Sequence, residues 1–142
     1  QTRAAGDILK QQKKNTTDDR KKIENLHKMV RLAYTLKEEL LHNNIDAMGD
    51  ILHQGWMYKK ELAGGISNEL INRYYDLAMQ NGASGGKLLG AGGGGFLLFY
   101  VKEENHERVR HALRDLKELK FKFDNKGTTI IHYNKHSLRG EF

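Results

Sequence analysis

The chain has 142 residues, 16.3 kDa, enough for one domain that takes about two-thirds of its unfolded surface out of water. With 38% hydrophobic and 30% charged residues, no cysteine and no apolar run near the roughly 18 residues of a membrane span, it argues against membrane insertion, disulfides and thiolate metal sites, and suits a reducing cytoplasm. The net charge of +6 invites an anionic partner, but no aromatic-interleaved basic strand or zinc-finger spacing accompanies it, so nucleic acid is not expected.

Basic residues crowd the N-terminal part at Lys10, Lys13, Lys14, Arg20, Lys21 and Lys22, and elsewhere alternate with acids as on solvated helix faces. Residues 3 to 13 read as a short helix carrying Ile8 and Leu9, ended by "NTTDD" with Thr16 and Asp19 at capping-box spacing. Ile23, Leu26, Val30, Ala33, Leu36 and Leu40 then recur at three- and four-residue steps, which predicts a long helix to about His42 with one apolar stripe. A third helix is expected from about Asn44 to Leu62, with Ile45, Met48, Leu52 and Trp56 inward and the glycines of "AGG" ending it. Ser67 is the expected cap of a fourth helix that buries Leu70, Ile71, Tyr74, Leu77 and Ala78 and closes at Asn81 and Gly82.

The period then changes. "KLLGA" and "FLLFYV" read as two antiparallel strands joined by a glycine loop. Asn105 is the expected cap of a last long helix with Val109, Ala112, Leu113, Leu116 and Leu119 inward. "KFKF" and "TTIIHY", flanking the turn signal "DNKG", predict a final hairpin. The whole is an α+β domain over residues 1–142, several N-terminal helices packed on a small antiparallel sheet with a β-β-α-β-β C-terminal half. The chain begins at Gln1 without methionine or a signal-peptide pattern, as expected of a processed or excised piece.

The glycine loop is the chain's strongest chemical signal. A Walker A loop fails, because Asn81 stands where its first glycine belongs and Leu88 follows Gly86-Lys87. Gly90, Gly92 and Gly95 meet the dinucleotide spacing, but a strand follows them where that site needs a helix. A protein-kinase glycine loop joins two strands, yet no H-R-D or D-F-G element is present. What remains is a strand-loop-strand whose successive amides can accept an anion, set against a plain hairpin turn, which needs one or two glycines rather than the four of Gly92 to Gly95.

"GGKLLGAGGGGFLLFY" resembles the third motif of the GHMP kinase superfamily, which holds galactokinase, homoserine kinase, mevalonate kinase and phosphomevalonate kinase. Lys87, the four glycines and Phe96 make it most similar to sugar kinases of the D-glycero-D-manno-heptose 7-phosphate kinase type. "TRAAGDILKQQ" resembles the segment after the first strand of the C-terminal domain in those heptose kinases, and the likeness covers nearly the whole chain.

The resemblance implies a ferredoxin-like C-terminal domain that works with an N-terminal kinase domain. That second domain would carry the serine-rich ATP loop and the acidic base, and no P-x-x-x-G-L-G-S-S-A-like stretch occurs here. It implies ATP and Mg2+ in the complete enzyme, a sugar or sugar-phosphate acceptor, and no measurable activity for this chain alone. Gly90, Ala91, Gly92, Gly93, Gly94 and Gly95 would line the cleft between domains, with Lys87 and Arg3 as candidate phosphate contacts and no catalytic or metal-binding residue in this chain. An uncovered sheet edge would favour a homo-oligomer. The other class of function is a non-catalytic domain that binds a small ligand or a protein through the same loop.

The remaining candidates are weaker. Lys87 also fits a strand-edge lysine, and Arg3 a frayed terminus. His106, Glu107 and His111 are spaced one residue too far for a zinc-protease helix, and His27, His42, His53, His132 and His136 are scattered without carboxylates at ligand spacing. Trp56 reads as core, with Tyr58 outward, rather than a stacking platform.

Overall fold

The computed structural model describes residues 5–124, 126, 127, 129 and 130, with the backbone alone at 16–18. Among these, α1 (Ala5–Asp18), α2 (Arg20–Leu41), α3 (Ala47–Lys60) and α4 (Glu69–Gln80) precede an antiparallel hairpin of β1 (Ala83–Leu89) and β2 (Phe96–Val101). A 3-10 turn at Glu103–Asn105 leads into α5 (His106–Ala112). The architecture is α+β, as the sequence predicts.

Local chemistry explains the boundaries. Asp19 adopts an extended backbone and its carboxylate accepts the amides of Lys21 and Lys22 at 3.0 and 3.3 Å, so the chain breaks at one residue and Thr16 stays inside α1. Asn43, at φ = +58°, ends α2 in the left-handed conformation that asparagine tolerates. α4 is capped by Asn68, whose side chain accepts the Ile71 amide at 2.9 Å. The expected cap, Ser67, instead donates to Asn72 Oδ1.

The helices turn somewhat differently from the predicted stripes. On α2 the fully buried residue is Asn25, which donates to Glu61 Oε2 at 3.0 Å, while Leu26 and Met29 pack against the core. Val30 and Leu40 are exposed, although α2 packs chiefly on α3 and to a lesser extent on α1. α3 buries Gly49, Ile51 and Trp56, and leaves Ile45 exposed. On α4 Tyr75 goes inward with Ile71 and Ala78, and Leu70 is exposed. Ile8, Trp56, Leu62, Ala63, Ile66, Ile71, Tyr75 and Leu88 form the main core.

α3 and β1 approach at two glycines. A methyl group on Gly49 would lie 2.5 Å from Cβ of Ser84, and one on Gly85 would lie 2.6 Å from the carbonyl carbon of Gly49. Glycine at both positions lets the helix backbone rest on the strand. β1 begins at Ala83 and so adds "ASGG" ahead of the predicted strand "KLLGA", and it ends at Leu89.

The C-terminal expectations need correction. α5 stops at Ala112, Val109 is buried as expected, and Leu116 and Leu119 are exposed. Asn105 makes no side-chain cap hydrogen bond. Residues 117–124 have no regular structure, so "KFKF" is not a strand, and Phe121 and Phe123 meet edge to face at 5.6 Å in solvent. The turn chemistry does form, with Asp124 Oδ1 accepting the Lys126 amide at 2.8 Å and Gly127 at φ = +64°. A hairpin of two strands is marginal without a sheet or core to cover it, and Phe121 and Phe123 find neither. Of "TTIIHY", Thr129 and Ile130 carry no strand and the other four positions lie outside the described residues.

Candidate functional site

The loop between β1 and β2 is built on a regular ladder. Lys87 stands opposite Leu98, Leu88 opposite Leu97 and Leu89 opposite Phe96, so residues 90–95 begin where the pairing ends. Gly90, Gly92, Gly93 and Gly95 take φ of +102°, +122°, +74° and +121°, a region that side chains disfavour. A methyl group on Gly92 would lie 2.6 Å from Cα of Ile66. The Gly93 amide donates to Ile66 O at 3.0 Å, and Gly93 is buried.

This alters the expectation that a hairpin leaves the glycines unexplained. The loop folds back on Ile66, and four of its positions need glycine for that path. Gly94 is the exception, since its φ is not positive. Gly90 and Gly95 are exposed and Ala91 and Gly94 half-buried, so the outer side of the loop is open to a ligand.

Two cations border it. Lys87 is half-buried on β1 and, among the described residues, makes no ion pair. Lys59, from the last turn of α3, donates to the carbonyl oxygen of Gly90 at 2.6 Å. Its ammonium is held below the ordinary lysine range by burial first and by the charge of Lys87 second.

Lys59 escaped sequence reasoning, and its position follows from the alignment of α3 with β1. From Gly49 to Lys59 the helix rises ~15 Å, and from Gly85 to Gly90 the strand advances ~16 Å, so contact at the glycine pair puts Lys59 beside the loop. Arg3, the other predicted phosphate contact, lies outside the described residues.

Beneath the site, His53 Nδ1 and the Tyr75 hydroxyl lie 2.8 Å apart, and that hydroxyl donates to Gly86 O at 3.3 Å. Burial, reinforced by the charge of Asp76, pushes the Tyr75 phenol up to about 12. Trp56 is core, as expected, at 1% exposure. His42 and His106 bind the carbonyls of Glu38 and Val101, and no group of three or more His, Asp or Glu among the described residues could hold a metal ion. The loop and its lysines thus suit an anion, while among the described residues no carboxylate set beside them suits Mg2+.

The C-terminal domain model of the GHMP kinases matches residues 36–118, a span that runs from α2 through the glycine loop and beyond α5. The chain is 37% identical over 113 residues to D-glycero-alpha-D-manno-heptose 7-phosphate kinase of Campylobacter jejuni, covering 80% of this chain and 33% of that protein. It is 34% identical over 104 residues to the bifunctional fucokinase/GDP-fucose pyrophosphorylase of Arabidopsis thaliana, covering 72% of this chain and 10% of that protein. The chain therefore spans a third or less of the length of these relatives.

Proposed function

From the premise that this chain belongs to the GHMP kinases, as a C-terminal domain of that family, we propose that it serves an ATP-dependent sugar or sugar-phosphate kinase. The reaction is transfer of a phosphoryl group from ATP to a sugar hydroxyl, with Gly90 to Gly95 lining the active site between this domain and an N-terminal kinase domain. The observation that carries the reading is the open, glycine-built loop bordered by Lys59 and Lys87, in a chain similar to two proteins that are both named as kinases of sugars.

The chemistry asks for what these residues have. Charge spreads over the equatorial oxygens of the transferred group, and fixed amides and ammoniums stabilise it without reorganising. Glycine lets the backbone come within hydrogen-bond range of those oxygens, and the Ile66 contact holds the Gly93 end of the loop in place. Magnesium is the customary companion of ATP and supplies charge neutralisation when bound. The residues described here do not fit it, and its ligands are assigned to the N-terminal domain along with the base and the main ATP loop. The domain boundaries, 1–142, and a cytoplasmic setting belong to the same proposal. No described helix is long and apolar enough to cross a membrane.

The test is sugar-dependent ATP turnover by the complete enzyme containing this domain, across a panel of sugars and sugar phosphates. Turnover with at least one of them is expected, and none from the 142-residue chain alone, because positioning of donor and acceptor requires both domains. Absence of turnover with every acceptor would refute the kinase reading. Turnover by the isolated chain, above that of its Gly93→Val variant, would refute the division of labour.

A further inference from the structure

Lys59 and Lys87 come from different elements, α3 and β1; Lys59 donates to Gly90 O of the glycine loop, and Lys87 stands three residues before Gly90, close enough for its charge to act on Lys59. Elsewhere in the described chain, Lys21, Lys22, Lys28, Lys102 and Arg110 pair with carboxylates. These two do not. The neighbouring Lys60 is different again, lying over the Trp56 ring at 5.8 Å. Two like charges held near one another, one of them partly removed from water, cost folding free energy that a bound anion would offset. Lys59 uses one of its three ammonium hydrogens on Gly90 O and keeps two for a ligand.

We infer that Lys59 and Lys87 together form a receptor for a phosphoryl group presented to Gly90–Gly95, and that Lys59 also positions the loop by gripping the carbonyl of Gly90. The inference rests on reading the loop as a phosphate-facing one. A lysine ammonium is a compact point charge with rotatable donors, suited to meeting phosphate oxygens from a flexible stem. Two of them on different elements can approach one tetrahedral group from two sides, and loop amides other than that of Gly93, which donates to Ile66, complete the cradle. Lys59 sits in the last turn of α3, and Lys87 lies on β1 two residues before that strand ends at Leu89. The depressed titration of Lys59 agrees with this, since burial and Lys87 would both be opposed by a phosphate dianion. The terminal phosphates of a nucleotide and the phosphate of a sugar-phosphate acceptor share this chemistry.

The experiment is titration of the isotopically labelled chain with inorganic phosphate, reading the amide resonances of Gly90 to Gly95. Saturable shifts are expected in the wild type. Affinity should be weaker by about tenfold in Lys59→Gln and in Lys87→Gln, largely kept in Lys59→Arg, and unchanged in Lys102→Gln, whose lysine pairs with Asp46. If Lys59→Gln does not fold, Lys87→Gln and Lys59→Arg still decide. Parallel titrations with a hexose phosphate and a non-hydrolysable ATP analogue assign the source, the tighter one being the natural occupant. No saturable shift in the wild type, or equal affinity in the wild type and Lys87→Gln, overturns the receptor. Lysine-dependent phosphate binding in a protein whose complete enzyme turns over no ATP would sustain the receptor and sink the kinase. Turnover without lysine-dependent binding would do the reverse.

Discussion

Tyr75 shows how one buried hydroxyl ties three elements together. It is 2% exposed, and its oxygen lies between His53 on α3 and the carbonyl of Gly86 on β1, with the Phe99 ring of β2 at 5.6 Å. Tyr75→Phe keeps the ring contacts but leaves the buried Gly86 carbonyl without this donor, so a loss of about 1–3 kcal/mol in urea unfolding is expected. Its ionisation has a definite sign. The folded value is raised from 10.0 to about 12, so the folded state holds the phenol proton more tightly. That contribution is complete below the ordinary tyrosine value and is lost as pH climbs through about 12. Stability measured across this alkaline range should fall in the wild type, and less in Tyr75→Phe. An equal fall in both would assign the alkaline loss to other groups. Sequence reasoning placed Tyr74 inward instead, because two adjacent tyrosines fit the same apolar spacing and only the partners at Gly86 and His53 separate them.

At the scale of elements, the hairpin and its loop were legible because the glycine run and the two apolar runs are local signals. The faces of α2 and α4 were less so. Periodicity marks which residues are apolar, but burial on α2 follows Asn25, whose partner Glu61 is 36 residues away. The first strand of the final hairpin, "KFKF", failed for a related reason: a turn signal sets local backbone conformation, and a strand also needs an edge to join. Lys59 was invisible until α3 was aligned with β1 through Gly49 and Gly85. That alignment makes its own prediction. Gly49→Ala puts a methyl group 2.5 Å from Cβ of Ser84, and overpacking there should cost about 1–3 kcal/mol. Displacing α3 also moves Lys59, so phosphate-induced shifts of the loop amides should weaken in the same variant. Wild-type stability in thermal unfolding would show that the two backbones are not held together at this point.

For the molecule as a whole, the account divides the loop glycines by cause. Those at 90, 92, 93 and 95 serve the path of the chain, so substituting them damages the fold and the function together. Gly94 has no positive φ that would reserve its place for glycine, and under the proposed function close approach of the reacting phosphate is a use for its missing side chain. The decisive measurement is therefore kcat/KM of the complete enzyme carrying Gly94→Ala, taken beside its unfolding free energy. The account predicts stability within about 1 kcal/mol of wild type and a loss of roughly 10- to 100-fold in kcat/KM. A Gly94→Ala enzyme with undiminished kcat/KM would contradict it and leave the glycines to the needs of the turn alone.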